Sequence, residues 1–132
     1  MLIKTTLKED GTTVESESRG LTVSYSTKDR NVGMNPGELL LSALGGCMTG
    51  IASEMAGEFG IDLKAFSVDV EGISAADHRR PGFAEIHTTV HMAADITPEK
   101  AEEFVAEIEQ ICPIRDVLAN GSNVHHTILL QK

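Results

Sequence analysis

The run Leu39-Leu40-Leu41-Ser42-Ala43-Leu44-Gly45-Gly46-Cys47, continuing to Phe59, constrains this chain more than any other stretch. Leu40, Leu44, Cys47, Ile51, Met55 and Phe59 recur at spacings of three and four, the period of one helix face, and Leu39, Leu41, Ala43 and Met48 carry the apolar surface round. A helix apolar on most sides is expected to be central to its fold. Asn35 is a favoured cap and Pro36 suits a first helical position, so the helix starts there and is expected to end near Gly60. Gly45 and Gly46 each cost roughly 1 kcal/mol of helix propensity against alanine, which makes close approach by another backbone the expected compensation. The stretch is long enough to cross a bilayer, but Glu54, Glu58 and its glycines make it a poor lipid-facing helix. It reads as a core helix that places a thiol, Cys47, deep in an apolar setting.

Around this helix the chain alternates as strands do. Leu2 to Lys8, Thr12 to Ser18 and Leu21 to Ser26 are separated by Asp10-Gly11 and Arg19-Gly20, which predicts an antiparallel meander. Thr27 to Met34 is a polar loop. After the helix, Ala65 to Glu71 and Phe83 to Ala93 are strand patterns that could pair as a long hairpin across a polar link. Thr97-Pro98-Glu99 starts a second helix with Phe104, Val105, Ile108 and Ile111 as its apolar stripe. Cys112-Pro113 breaks it and begins a short helix through Arg115 and Leu118, closed by Asn120-Gly121. Val124 to Leu130 is expected to be a last strand. This order argues for α+β with antiparallel sheet.

At 132 residues the chain suits one core, so residues 1–132 are read as a single domain. Acidic residues outnumber basic ones by 20 to 11, giving a formal charge of -9. That field repels phosphate backbones and anionic lipid, so neither nucleic acid nor a membrane surface is an expected partner. The first residues lack the continuous apolar core of a secretory signal, and a cytoplasmic location is the default expectation.

In a reducing compartment two cysteines are not a structural staple by default, because disulfides there are usually transient, catalytic or redox-sensing. Cys47 needs a cation or a helix dipole to offset burial before it becomes a good nucleophile. Cys112 precedes Pro113 and so sits where a helix N-terminus favours negative sulfur. The two could form a disulfide only if the fold brings their Cα atoms within about 7 Å. Two inert buried thiols remain the plainer alternative.

The histidines give weak support for a metal. His87 and His91 would share a strand face but lie about 13 Å apart at about 3.3 Å per residue, and His125 and His126 point to opposite faces. No metal or organic cofactor is expected. Phosphate-loop and serine-elbow motifs are missing from the sequence, and the acid-rich run from Glu99 to Glu109 reads as a solvated helix face.

Asn35-Pro36-x-Glu38-Leu39, the small-residue helix reaching Cys47 and the late Cys112-Pro113 step together resemble the OsmC/Ohr family of osmotically inducible and organic hydroperoxide resistance proteins. The resemblance covers nearly the whole chain, in element order, length and the positions of both cysteines. It implies an intertwined homodimer, with antiparallel sheets wrapped around long central helices and reactive sites near the subunit interface. It also implies peroxiredoxin-like chemistry in the oxidative stress response. Cys47 would attack the O–O bond of an organic hydroperoxide and become a sulfenic acid, Cys112 would resolve it as a disulfide, and a dithiol reductant would close the cycle. An apolar pocket beside Cys47, lined by Leu44, Met48 and Ile51, would suit an organic peroxide.

The sequence also departs from the family. In the family's peroxidases a glutamate directly follows the Asn-Pro pair and an arginine near the first turn holds the thiolate. Here Gly37 takes the first place, with Glu38 one step later, and Glu9 falls near the second. Glu38 is the candidate replacement acid, although a carboxylate at a helix first turn also serves the dipole. Arg19 and Arg30 are candidate cations that spacing does not single out. The competing reading is a non-catalytic OsmC-like stress protein that binds a small apolar ligand and whose thiols are inert.

Overall fold

The computed structural model describes residues 1–77 and 79–131. The chain forms two compact units, one from Met1 to Ser42 and one from Ala43 onward, with the boundary inside the long helix.

The first unit holds β1 (Lys4–Leu7), β2 (Thr13–Ser18) and β3 (Leu21–Ser26) as an antiparallel sheet in the order β1-β2-β3. Its register runs Leu7 opposite Val14 and Ser18 opposite Leu21. The second pairing leaves Arg19-Gly20 as a two-residue turn, with φ of 54° and 83°. Positive φ at both positions matches the twist of the flanking strands, the geometry a tight hairpin favours. At the first turn the Asp10 carboxylate accepts from the Thr13 hydroxyl at 2.6 Å and from the Thr13 and Thr12 amides at 2.8 and 2.9 Å. These bonds, the Thr13 hydroxyl foremost, lower its pKa to about 2.

The polar loop that follows contains one position where only glycine fits. Gly33 has φ of 80°, and a Cβ built there would overlap the carbonyl oxygen of Ser24. Gly33→Ala combines left-handed strain with a backbone clash and is expected to cost about 2–3 kcal/mol, read as a lowered urea midpoint at unchanged slope. An unchanged midpoint would show that the loop repacks freely.

The long helix α1 (Pro36–Met55) begins as the sequence suggests. Asn35 Oδ1 accepts the Glu38 amide at 2.8 Å while Glu38 Oε1 accepts the Asn35 amide at 3.0 Å. This reciprocal pair satisfies two amides that the helix start leaves free. Past Met55 the chain closes with Ile61 N–H on Ala56 O at 2.8 Å and Gly60 N–H on Gly57 O at 3.1 Å. With Gly60 at φ of 65° this is a Schellman termination.

In the second unit β4 (Ala65–Ser74) and β5 (Phe83–Ala93) pair antiparallel from Ala65 opposite Ala93 to Ser74 opposite Phe83, with an irregularity at Ile73/Ser74. Alternation puts Phe66, Val68, Val70, Ile86, Val90 and Met92 on one face, packed against the core. The core comprises Leu44, Met48, Ala52, Ala56, Ile61, Phe104, Ile108 and Cys112. Gly45 faces the hairpin, where a Cβ would lie 3.3 Å from Val70 Cγ2. The close approach expected of the glycine pair therefore occurs at Gly45, while Gly46 has open space.

The helix α2 (Pro98–Ile111) starts at Thr97, whose hydroxyl accepts the Lys100 amide at 3.1 Å. It buries Phe104 and Ile108, and Phe104 meets Phe59 edge to face at a centroid distance of 5.4 Å. Cys112 ends this helix and caps the next, α3 (Pro113–Asn120), which Gly121 closes. No helix is long and apolar enough to cross a membrane among the described residues.

Two expectations need correction. Val124 to Leu130 forms no ladder among the described residues and leaves Val124, Ile128, Leu129 and Leu130 exposed. A strand exists only when paired, and this segment finds no partner strand within its own described chain. Cys47 is also less deeply placed than the apolar helix suggests. In the second unit α1 fully buries only the Leu44, Met48 and Ala52 stripe, and Cys47 lies on the adjacent, partly exposed face.

Candidate functional site

Two features from distant parts of the sequence meet in the second unit: the α1 turn that carries Cys47 and the α2–α3 junction at Cys112. The junction follows from local chemistry. Cys112 N–H closes α2 on Ile108 O at 3.0 Å, and Cys112 O accepts the Asp116 amide at 3.0 Å to begin α3. Pro113 lacks an amide proton at a position where none is needed. The sulfur takes the capping role that a serine or aspartate oxygen usually fills, accepting the Arg115 amide at 3.4 Å.

Both cysteines are free thiols. Cys112 is 1% exposed and belongs to the core, whereas Cys47 is partly exposed and packs against that core. The thiols lie near enough for Cys112 to influence the proton of Cys47. Burial pushes the Cys47 pKa up, and interaction with Cys112 pushes it further, while the Ile114 amide acts in the opposite direction. Alkylation of Cys47 by iodoacetamide is therefore expected to rise at a higher pH than for an ordinary thiol of pKa about 8.5. Cys112→Ala should move that midpoint partway down, because the neighbouring sulfur is gone and burial remains. A midpoint below the ordinary value in the parent protein would contradict this electrostatic account.

The second unit also holds a cavity of about 340 Å³ whose apolar walls include Leu44, Met48, Phe83, Ile86 and Leu118. Arg80, Glu85, Glu109 and Arg115 supply charge around it. Arg115 Nε stands 3.8 Å from Glu109 Oε2, so the guanidinium is already partnered by a carboxylate. Leu44 and Met48 stand on the cavity wall. Ile51 packs against the core and is not on that wall, and neither is Cys47. Cys47 is three residues after Leu44 and directly before Met48, so α1 residues close to it in the chain stand on the cavity wall.

Glu38 serves the helix cap described above. Arg19 lies in the β2–β3 turn and Arg30 in the loop after β3, both within the first unit. Arg115 is a residue of this region that no charge pattern or motif in the sequence marks. The signal for it was local: the third residue after a helix cap places its amide on the capping atom, which here is sulfur. His91 Nε2 pairs with Asp69 Oδ2 at 2.8 Å and His87 Nε2 with Glu85 Oε1 at 3.7 Å, both on exposed surface. Among the described residues no group of three or more His, Cys, Asp or Glu is gathered so as to hold a metal ion.

A family model described as OsmC-like protein matches residues 27–127. Among solved structures the chain is similar to an OsmC-like protein from Mycoplasma pneumoniae, with a TM-score of 0.78 at 22% identity over 89% of this chain and 85% of that one. It is also similar to an organic hydroperoxide resistance protein OsmC, a predicted redox protein and regulator of sulfide bond formation, from Legionella pneumophila. There the TM-score is 0.64 at 20% identity, over 91% of this chain and 89% of the other. The organic hydroperoxide resistance protein OhrB of Bacillus subtilis gives a TM-score of 0.58 at 21% identity, over 88% and 87% of the two chains. At these identities the likeness establishes the fold. No curated protein matches the sequence.

Proposed function

The chain belongs to the OsmC-like protein family, and from that premise we propose that it is a cysteine-based peroxidase acting on organic hydroperoxides. The observation that carries this reading is the meeting of Cys47 and Cys112, one partly exposed and one buried, at the α2–α3 junction. The Cys47 thiolate attacks the terminal oxygen of ROOH, the O–O bond breaks, and the alcohol leaves after taking up a proton. The resulting sulfenic acid is attacked by Cys112, which expels water and forms a disulfide. A dithiol then returns two electrons and two protons. An apolar cavity wall at Leu44 and Met48 favours the carbon chain of an organic peroxide over hydrogen peroxide.

The decisive experiment is a mass and free-thiol count on reduced protein before and after one equivalent of cumene hydroperoxide, alongside Cys47→Ser and Cys112→Ser. Loss of both thiols in the parent and a trapped sulfenic acid in Cys112→Ser are expected. Unchanged thiols would overturn the peroxidase reading. The raised pKa of Cys47 favours one alternative, a ligand-binding protein with inert thiols. Slow alkylation together with a melting temperature raised by a small apolar ligand would support it.

The assembly belongs to the same proposal: one domain per chain, functioning as a cytoplasmic homodimer. Val124 and Leu130 are 92% and 85% exposed on a segment that forms no ladder among the described residues. Pairing with a second copy would satisfy its backbone and cover its apolar side chains. Equilibrium sedimentation should give twice the chain mass, and a monomer at every accessible concentration would rule this out.

A further inference from the structure

The two sulfurs of the pair differ in access, and this asymmetry bears on a step the peroxidase reading leaves open: which sulfur the reductant attacks. Thiol–disulfide exchange requires the incoming thiolate to reach one sulfur along the S–S axis, and the other sulfur departs with the bonding electrons. Cys112 is 1% exposed and lies in the core with Phe104 and Ile108, so an external thiol has no approach to it. Cys47 is partly exposed on the face of α1 adjacent to the buried stripe.

We propose, building on the peroxidase reading, that the reductant's thiolate enters the Cys47–Cys112 disulfide at Cys47, with Cys112 as the leaving group. The covalent intermediate with the reductant is then carried on Cys47. In the first exchange the reductant–Cys47 S–S bond forms, the Cys47–Cys112 bond breaks, and the electron pair goes to the Cys112 sulfur. The second thiolate of the dithiol then attacks its own sulfur within the mixed disulfide. This releases Cys47 as thiolate and the reductant as its disulfide, so two electrons pass to the protein and both cysteines recover their protons.

The α3 start suits Cys112 to the leaving role. Its sulfur already accepts the Arg115 amide at 3.4 Å as the cap of that helix, where the backbone dipole favours negative charge as it develops. The Ile114 amide also lies near Cys47, so amide donors alone do not choose between the sulfurs. Access does.

The test uses the full chain oxidised to the intramolecular disulfide with diamide, so that it stands apart from reactivity toward peroxide. A brief pulse of N-acetylcysteine, a monothiol, is quenched in acid, free thiols are blocked with iodoacetamide, and the two cysteines are located on separate tryptic peptides by mass spectrometry. About tenfold or greater excess of N-acetylcysteine on Cys47, with carbamidomethyl on Cys112, is the expected result. Equal labelling or an excess on Cys112 overturns the proposal, as does failure of diamide to join the two sulfurs. If diamide forms the disulfide and cumene hydroperoxide does not, the peroxidase reading fails while the site of attack is still decided by the adduct.

Discussion

Cys47→Ser is expected to lower the rate of organic hydroperoxide consumption by about a thousandfold or more, with little change in melting temperature. The loss follows from the chemistry of the first step. A serine hydroxyl keeps its proton throughout the accessible pH range and presents a hard oxygen in place of a polarisable sulfur, so attack on the O–O bond has no nucleophile. The fold should tolerate the change because Cys47 is only partly buried and caps no helix. Cys112→Ser should behave differently. Its first reaction with peroxide survives, because Cys47 is intact, and multiple turnover fails, because no second sulfur resolves the sulfenic acid. The parent reaction should also accelerate as pH rises through the alkaline range, since burial and Cys112 hold the Cys47 proton on. Stopped-flow consumption of cumene hydroperoxide separates the first turnover from later ones. Equal rates in Cys47→Ser and the parent would remove Cys47 from the mechanism.

Much of the fold was legible because local signals and tertiary needs agree in this chain. Asn35 and Glu38 sit three apart and cap each other, so the helix start could be read from spacing alone. Ile86, Val90 and Met92 share a strand face because that face packs on the core while the other meets solvent, and Phe83 falls out of this phase at the irregularity near Ser74. Arg19-Gly20 marked a turn, although the φ of 54° at Arg19 is a conformation that arginine's composition does not announce. Val124 to Leu130 shows where such reading stops. Its β-branched and apolar residues suit a strand, but a strand needs a partner, and composition does not say whether that partner is in the same chain.

The candidate site was legible only in part. Both cysteines could be named, and the cap at Cys112 followed from the proline beside it, but their meeting depends on how α1 and the α2–α3 junction pack. The charged groups were harder to foresee. Position along the chain points to Arg19, Arg30 and Glu38, whereas the arginines on the cavity wall are Arg80 and Arg115. Arg115 reaches the wall because α3 turns its first residues back toward Glu109 at the end of α2. That geometry is set by the break at Cys112-Pro113, and no periodic pattern encodes it.

Phe104→Ala is expected to destabilise the fold by about 3–5 kcal/mol, the largest loss of stability from a single side chain in this protein. Phe104 is fully buried, makes an edge-to-face contact with Phe59 and stands in the core alongside Met48, Ile108 and Cys112. Truncation removes the transfer energy of the ring and leaves a void that backbone elements on every side hold open, so collapse recovers little of the loss. Against a total stability of about 5–15 kcal/mol for an ordinary domain, the variant should be partly unfolded near body temperature. Ile108→Ala removes a smaller side chain from the same core and should cost about 2–5 kcal/mol. Leu129→Ala, at a side chain 84% exposed in the unpaired segment, should leave the stability of an isolated chain nearly unchanged. If a second copy covers that segment, Leu129→Ala should instead lower the urea midpoint at the lower protein concentration, where the weakened association dissociates first. Urea unfolding of the three variants at two concentrations therefore measures the core and the association together. A loss under about 1 kcal/mol for Phe104→Ala would mean that the core to which α1 and α2 both contribute does not hold the fold.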